Sequence, residues 1–368
     1  MQKRLLVFHS SLAPYRIEFF NSLNSSFETR ICFTLANVES QNFNTEWLKR
    51  QLRFEPFFLL DRYHIGIGKI PKGIVSQLKE WNPNIVFVPE FGIVTIVVIL
   101  YRLVTRKKFK IVSICDDSYN MITEDNDFKL THKLARKLVV PFLDELILVE
   151  PSTVEWYRRN YGKGFWFPII IPDKKAELMY ERLMERSLQE KAHYKLEHKN
   201  VFLFVGRLVK LKNVKTAIDA FSLLNQEENV LVIIGDGVER TNLEAQAKRA
   251  GVNVLFLGHL EGDELSLWYN IADVFVLPSY QEAFGAVTNE ALLAGCWGII
   301  SNMAGSRCLI QEGKNGYNFD PLNADELADK MRASIMAVKQ CSGSSRRNRM
   351  YLSYEECMSN LINHLNQW

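Results

Sequence analysis

The sequence predicts an α/β protein of two domains, each a parallel sheet with helices on both faces. Three observations carry this expectation. From Leu5 to Tyr161, short apolar segments of strand type alternate with segments of helical period. The same alternation restarts after Asn200. Between them, Lys174 to His198 is charged, helical in period and free of strand signals. Alternation of this kind gives parallel strands joined by right-handed crossovers, and 368 residues exceed one ordinary core. The expected division is a first domain over 1–168, rejoined by a final helix over 351–368, a linker over 169–199, and a second domain over 200–350.

The elements follow in order. Leu5–Phe8 is a buried strand, followed by the loop His9-Ser-Ser-Leu-Ala-Pro14 and a helix from Tyr15 to Leu23. Strands are expected at Thr29–Leu35, Phe54–Leu60, Ile85–Val88, Lys110–Cys115 and Leu146–Val149, and helices at Ile74–Lys79 and through Tyr161. Ligands bind at the C-terminal ends of strands in open α/β sheets, which singles out Ser11 and Arg16 after the first strand and Asp116 and Asp117 after the fifth. The two aspartates are read either as a helix cap and hydrogen-bonding turn or as a metal or base site. Ile93 to Tyr101 is strongly apolar, and Arg102, Arg106, Lys107, Lys108 and Lys110 follow. The apolar run is shorter than the ~18 residues of a spanning helix. It is either a buried helix with a basic end or a patch lying on an anionic membrane surface.

In the second half, Val201–Val205 runs into Gly206-Arg207-Leu208, with Lys212 close behind. Val230–Ile234 ends in Gly235-Asp-Gly237, and Val254–Leu257 in Gly258-His259-Leu260. Ala272–Leu277 leads into Ser279-Tyr-Gln-Glu282-Ala-Phe284-Gly285-Ala286-Val-Thr-Asn-Glu290, a turn passing into a helix. Each strand end carries glycine, charge or both, which points to a ligand edge. A helix start at Phe284–Ala286 presents free N–H groups and a positive dipole end, a seat for phosphate. The eight positions from Glu282 to Glu290 span roughly 12 Å if helical, too far for the paired carboxylates of a glycosidase.

Composition excludes several classes. The hydrophobic fraction is 47%, charged residues are 24%, and the formal net charge is only +3, so a nucleic-acid role has no global electrostatic support. The six cysteines (Cys32, Cys115, Cys296, Cys308, Cys341, Cys357) form no C-x-x-C pair, which argues against zinc and redox motifs and for reduced thiols in the cytoplasm. The N-terminus enters a strand at once, so no signal peptide is expected.

The ordered set Val205-Gly-Arg-Leu with Lys212, Gly235-Asp-Gly-Val-Glu-Arg240, Phe256-Leu-Gly258, Pro278-Ser-Tyr-Gln-Glu282 through Glu290, Gly305 and Gly316-Tyr resembles glycosyltransferase family 4, the retaining "group 1" glycosyltransferases. The resemblance covers about 204–331; the first half is similar in layout rather than in motif. It implies the GT-B architecture, two Rossmann-like domains facing a cleft. It implies that Arg207 and Lys212 hold the donor diphosphate, that Glu290 accepts from the ribose hydroxyls, and that Glu282 faces the donor sugar. Gly206 and the backbone at Phe284, Gly285 and Ala286 meet phosphate and sugar, and Gly258, His259 and Leu260 border the base. Asp116 and Asp117 are the candidate carboxylates of a double displacement, Asp117 being the one placed among the catalytic residues; Ser11, Arg16 and Asp116 stand on the acceptor side. No cofactor and no metal are expected. The partners implied are a nucleotide-diphosphate sugar, UDP favoured over GDP, and a glycan or lipid-linked acceptor of bacterial capsule, exopolysaccharide or lipopolysaccharide synthesis, with no nucleic acid. The expected location is the cytoplasm, with peripheral contact to the inner membrane face through 93–110. The rival readings are a non-catalytic partner subunit and an epimerase or phosphorylase on the same fold. Departures from the family pattern are Asn213 in place of a common glycine, the glycine-free loop after the first strand, and Asp116-Asp117-Ser118 in place of a common histidine.

Overall fold

The computed structural model describes residues 2–37, 44–65, 68–123, 130–341 and 348–368. The chain forms two compact units, Met1–Ile169 with Glu355–Trp368, and Ile170–Tyr354.

The first unit runs β1 (Arg4–His9), α1 (Ile17–Ser26), β2 (Glu28–Phe33), α2 (Thr45–Lys49), β3 (Phe57–Phe58), the antiparallel hairpin β4 (Arg62–Ile65) and β5 (Gly68–Pro71), α3 (Ile74–Trp81), β6 (Ile85–Pro89), α4 (Ile93–Thr105), β7 (Lys110–Cys115), α5 (Tyr119–Thr123), α6 (Leu130–Val139), β8 (Glu145–Leu148), α7 (Pro151–Tyr161) and β9 (Phe165–Trp166). Among the described residues its main sheet has the order β3-β2-β1-β6-β7-β8-β9, all parallel. The strands read as continuous apolar runs because both faces are covered; Leu5, Leu6, Val7 and Phe8 are all fully buried. One face packs Leu6, Phe8, Val86, Val88 and Ile111 against Leu78, Val98 and Tyr157 of the helices. The winding reverses between β1 and β6, which is where ligands settle in sheets of this type.

The stretch read as a linker over 169–199 belongs to the second unit. It contains α8 (Asp173–His193), a helix of 21 residues. Its remaining elements are β10 (Asn200–Val205), α9 (Val214–Phe221), β11 (Asn229–Ile234), α10 (Arg240–Ala250), β12 (Val254–Gly258), α11 (Gly262–Ile271), β13 (Val274–Leu277), α12 (Val287–Leu293), β14 (Trp297–Ser301), β15 (Gly316–Phe319) and α13 (Ala324–Cys341). The charges on α8 gave the impression of a solvated connector, but they pair with α11: Arg182 with Asp263 and Arg186 with Glu264, each at 2.7 Å. Tyr180 and Leu183 on its other face are buried, and Asn270 Nδ2 donates to the Tyr180 carbonyl at 2.8 Å. The parallel sheet has the order β12-β11-β10-β13-β14-β15, reversing between β10 and β13. The last helix, α14 (Tyr354–Asn366), lies almost wholly in the first unit. There His364 Nε2 lies 3.0 Å from Glu145 Oε2 and its ring stacks on Phe165, while Lys3 Nζ donates to the carbonyls of Leu365, Asn366 and Trp368.

Three features escaped the sequence pattern. The strand expected over Phe54–Leu60 shortens to Phe57–Phe58, and β9 and the hairpin were not anticipated. All are edge or paired-ribbon segments whose ladders come from neighbours rather than from a buried apolar run.

The strand ends of the second unit are laced by backbone. Gly206 N donates to Ile234 O at 3.0 Å, Leu208 N to Asp236 O at 2.8 Å, and Gly235 N to Gly258 O at 2.7 Å. A Cβ at Gly235 would stand 1.9 Å from the Gly206 carbonyl oxygen, with no flexible group to yield. Gly251, by contrast, has a φ of +65° but open space around it. Gly251→Ala is therefore expected to cost about 1 kcal/mol, the left-handed backbone penalty, and Gly235→Ala about 3 kcal/mol or more. Urea unfolding of the two variants checks the difference; equal losses would refute the steric argument.

Candidate functional site

The reversal between β10 and β13 collects most of the expected donor-side residues. After β10 the chain passes Gly206 and Arg207, then turns through Lys210–Lys212 in a short 3-10 helix. Arg207 is exposed and pairs with no carboxylate among the described residues. Lys212 Nζ donates to Glu282 in an ion pair whose two side chains are mostly buried. Asn213 closes the turn at φ +52°, a left-handed conformation that glycine or asparagine adopts most cheaply. Its buried Nδ2 donates to the carbonyls of Pro278 at 3.0 Å and Pro321 at 2.9 Å. The side chain thus stitches the Lys212 turn to the end of β13, which a glycine would not do. Tyr280 N adds a bond to Leu211 O at 2.9 Å.

Glu282 is held by its backbone, which donates to Met303 O and accepts from Gly305 N, each at 3.2 Å. Gly305 is needed here, since a Cβ would stand 2.3 Å from the Ala283 carbonyl oxygen. Gly285, at φ +92°, packs against Leu277, Ser306 and Glu282 itself. α12 then starts at Val287 with Ala286 at its cap and no side-chain cap. Among the described residues the N–H groups of Phe284, Gly285 and Ala286 have no acceptor, so the start of the helix presents unpaired donors. Phe284 itself is buried, which fixes the turn, and Thr288 Oγ1 lies 2.8 Å from Ser306 Oγ beneath it.

Glu290 stands one turn into α12. Burial pushes its carboxyl up from the ordinary 4.5 to about 7, partly offset by the buried Tyr269 hydroxyl opposite it. The Tyr180 hydroxyl donates to the Glu290 carbonyl at 2.9 Å, so α8 anchors the same turn. On the third strand end, Gly258 has a φ of +74°. His259 is largely exposed with Glu261 4.0 Å away, and Leu260 is half-buried.

In the first unit, the residues expected on the acceptor side are brought together but not uniformly exposed. Ser11 is buried, and its carbonyl accepts from His9 Nδ1 at 2.9 Å. Burial and the neighbouring Arg16 hold His9 down to about 4, so its ring is neutral at physiological pH. Arg16 is also buried and donates to Asp116. Asp117, the candidate nucleophile, is 3% exposed and accepts from Arg136 Nη2 at 3.1 Å and Tyr157 Oη at 3.3 Å. Its carboxylate is enclosed by partners and has no open approach for an attack, whereas Asp116 is 32% exposed.

Comparison with known proteins follows the same division. Residues 185–342 match the family described as Glycosyl transferases group 1. An uncharacterized glycosyltransferase of Methanocaldococcus jannaschii is 33% identical over 171 residues, 43% of this chain and 44% of that protein. The lipopolysaccharide 1,2-N-acetylglucosaminetransferase of Salmonella typhimurium is 28% identical over 187 residues, 45% of this chain and 49% of that protein. The chain thus spans less than half the length of these curated relatives. Across its whole length the fold is similar to Anabaena HepE solved in complex with UDP, with a TM-score of 0.73, 16% identity and 100% of both chains covered. The fold is GT-B, with two Rossmann-like domains.

Over residues 185–342 the motif residues stood out in the sequence; the side chains that support them did not. Asn213, Tyr180, Tyr269 and Ser306 come from four separate elements and follow no local pattern. In the first unit Arg136 and Tyr157 were likewise missed, since each reads as an ordinary helical residue until the fold places it against Asp117.

The raised Glu290 pKa makes a pH prediction. The group binds its proton more tightly folded than unfolded, so its contribution to stability is full below about 4.5 and is lost as pH rises through about 7. Glu290→Gln removes the cost of the buried charge. The variant is expected to gain in Tm over the parent protein between pH 5 and pH 8, measured without ligand. A Tm difference that does not change with pH would contradict a carboxyl titrating near neutrality.

Proposed function

We propose that the protein is a retaining, metal-independent glycosyltransferase that moves a sugar from a nucleotide-diphosphate sugar to a hydroxyl of a glycan or lipid-linked acceptor. The observation that carries this reading is the convergence, where the second sheet reverses, of the Lys212–Glu282 pair with the unpaired N–H groups at Phe284–Ala286. Arg207 and Lys212 take the diphosphate and stabilise charge on the leaving group. Without donor, Glu282 neutralises the Lys212 ammonium. A bound diphosphate competes for that ammonium and frees the carboxylate to accept from hydroxyls of the donor sugar. Glu290 accepts from the ribose, and Gly258, His259 and Leu260 border the base. In this reading the cations and the helix start supply the neutralisation that a metal would otherwise provide.

Retention proceeds through an oxocarbenium-like transition state, with the leaving phosphate taking the acceptor proton. The enclosure of Asp117 favours this route over a double displacement through that residue. HepE has been solved with UDP and with UDP-glucose, which supports a UDP-sugar donor. The Salmonella relative supports a place in lipopolysaccharide or related cell-envelope synthesis.

The acceptor is received by the first unit, at the membrane surface. No helix among the described residues is long and apolar enough to cross a membrane. α4 nevertheless buries Val94, Val98 and Ile99 while exposing Ile93, Ile96, Leu100, Leu103 and Val104, a stripe of helical spacing. Arg106, Lys107 and Lys108, all exposed, follow at once. An apolar stripe with a basic end suits the interface of an anionic bilayer.

Two measurements test the reading. Ligand at 100-fold its Kd stabilises by about 2.7 kcal/mol, so UDP is expected to raise Tm by several degrees. Lys212→Ala is expected to lose that shift and to lower transfer at least ~100-fold, as is Glu290→Ala. No stabilisation by UDP, GDP or ADP, or full activity in both variants, would sink the assignment. Separately, Leu100→Glu with Leu103→Glu should abolish co-sedimentation with phosphatidylglycerol vesicles while leaving UDP binding intact.

A further inference from the structure

Among the described residues Glu290 meets no cation, unlike Glu282 with its Lys212. Three helices of the second unit meet beneath it instead. On α12 itself, the preceding Asn289 is buried, and its Oδ1 accepts from Ile171 N at 2.9 Å. From α8, the Tyr180 hydroxyl donates to the Glu290 backbone carbonyl at 2.9 Å. From α11, Asn270 Nδ2 donates to the Tyr180 carbonyl at 2.8 Å, and Tyr269 stands one residue before it, 1% exposed. These bonds fix where the Glu290 turn lies. None of them reaches its carboxyl.

The carboxyl is faced by Tyr269. The phenol ring packs on Phe275, 6.2 Å between centroids, and the Tyr269 carbonyl accepts from Cys296 Sγ at 3.3 Å, so the ring is held in place. Its buried hydroxyl closes no hydrogen bond among the described residues, yet it pulls on the Glu290 carboxyl as a donor does, against the upward push of burial. Burial and the facing carboxyl keep the phenol itself protonated. The other titratable groups of this layer, Tyr180 and Cys296, bear on Tyr269. No charged side chain of α8, β13, β14 or the turn Gly305–Leu309 bears on the Glu290 carboxyl among the described residues. A buried hydroxyl without an acceptor is costly, and an ionised carboxylate is an acceptor only. Bonds of this kind are often open without ligand and tighten when it binds.

We propose that Tyr269 is a positioning residue for nucleotide recognition: its hydroxyl donates to the Glu290 carboxylate from the buried side and leaves that carboxylate aimed at the ribose hydroxyls, so that the donor binds with release of the Glu290 proton. The proton goes to solvent, and the phenol keeps its own. Donor affinity therefore falls as pH falls, because the protonated carboxyl has lost acceptor capacity toward the ribose. The inference rests on the glycosyltransferase reading, in which Glu290 takes the ribose, and adds to it the residue that acts through Glu290.

The test is calorimetric titration of the full-length protein with UDP-glucose, ADP-glucose and GDP-mannose between pH 6 and pH 8.5, in buffers of different ionisation enthalpy. The diphosphates of these donors carry no proton that titrates in this range. The donor that binds is expected to weaken about tenfold from pH 8 to pH 6 and to release most of one proton at pH 6. Tyr269→Phe keeps the ring and is expected to move the midpoint of the profile up by about one pH unit. With 3-fluorotyrosine at position 269, a more acidic donor of the same shape, the midpoint should move down; this arm decides if Tyr269→Phe does not fold. Tyr180→Phe removes a donor from the Glu290 backbone only and should leave the midpoint in place even where affinity falls. Glu290→Gln should release no proton. A midpoint unmoved by either change at Tyr269, equal shifts in Tyr269→Phe and Tyr180→Phe, or donor binding without proton release would each overturn the proposal while leaving the transferase reading intact. A folded protein that binds none of the three donors at any pH would remove that reading and the inference with it.

Discussion

The second unit depends on how closely its strand-end loops approach each other. The Gly206 carbonyl occupies the space where a side chain on residue 235 would begin, and the Leu208 carbonyl lies 2.3 Å from where a Cβ on Gly237 would stand. Only because those positions carry no side chain can Leu208 N reach Asp236 O and Gly235 N reach Gly258 O. The lacing fixes the start of the turn that delivers Lys212. Asn213 fixes its end, through two buried bonds to carbonyls that lie far away in sequence. A flexible lysine is thereby held on a rigid base.

Charge is handled in the same way in both units. A cation and a carboxylate are paired at the carboxyl end of the sheet, Lys212 with Glu282 in one, Arg16 with Asp116 and Arg136 with Asp117 in the other. Buried pairs of this kind contribute little net stability, because desolvation offsets their attraction. What they provide is position. The Lys212–Glu282 pair is partly accessible and open to exchange with a ligand. The Arg136–Asp117 pair is enclosed, with Tyr157 as a further donor. The two carboxylates thus differ in accessibility, although both are acidic residues at strand ends.

Most of the fold was legible in the sequence because parallel strands covered on both faces must be apolar throughout, and their crossover helices must be amphipathic. Ser279 to Ala294 was legible as a ligand-binding turn for a similar reason, since its glycines and acids fall within one strand-turn-helix. What was illegible shares a different cause. Asp173–His193 looked like a linker because its exposed charges dominate the pattern, while the partners of those charges, Asp263 and Glu264, lie some eighty positions away. Asp117 looked available because nothing local announces Arg136 or Tyr157.

By itself, then, the sequence determined two α/β units and the strand ends at which charge and glycine gather. These follow from periodicity and from chemistry carried by neighbours in the chain. Only the tertiary structure decided which charged groups are open and which are enclosed, and that Glu290 titrates near neutrality. Burial and long-range pairing set those properties, and both depend on residues that meet only after folding.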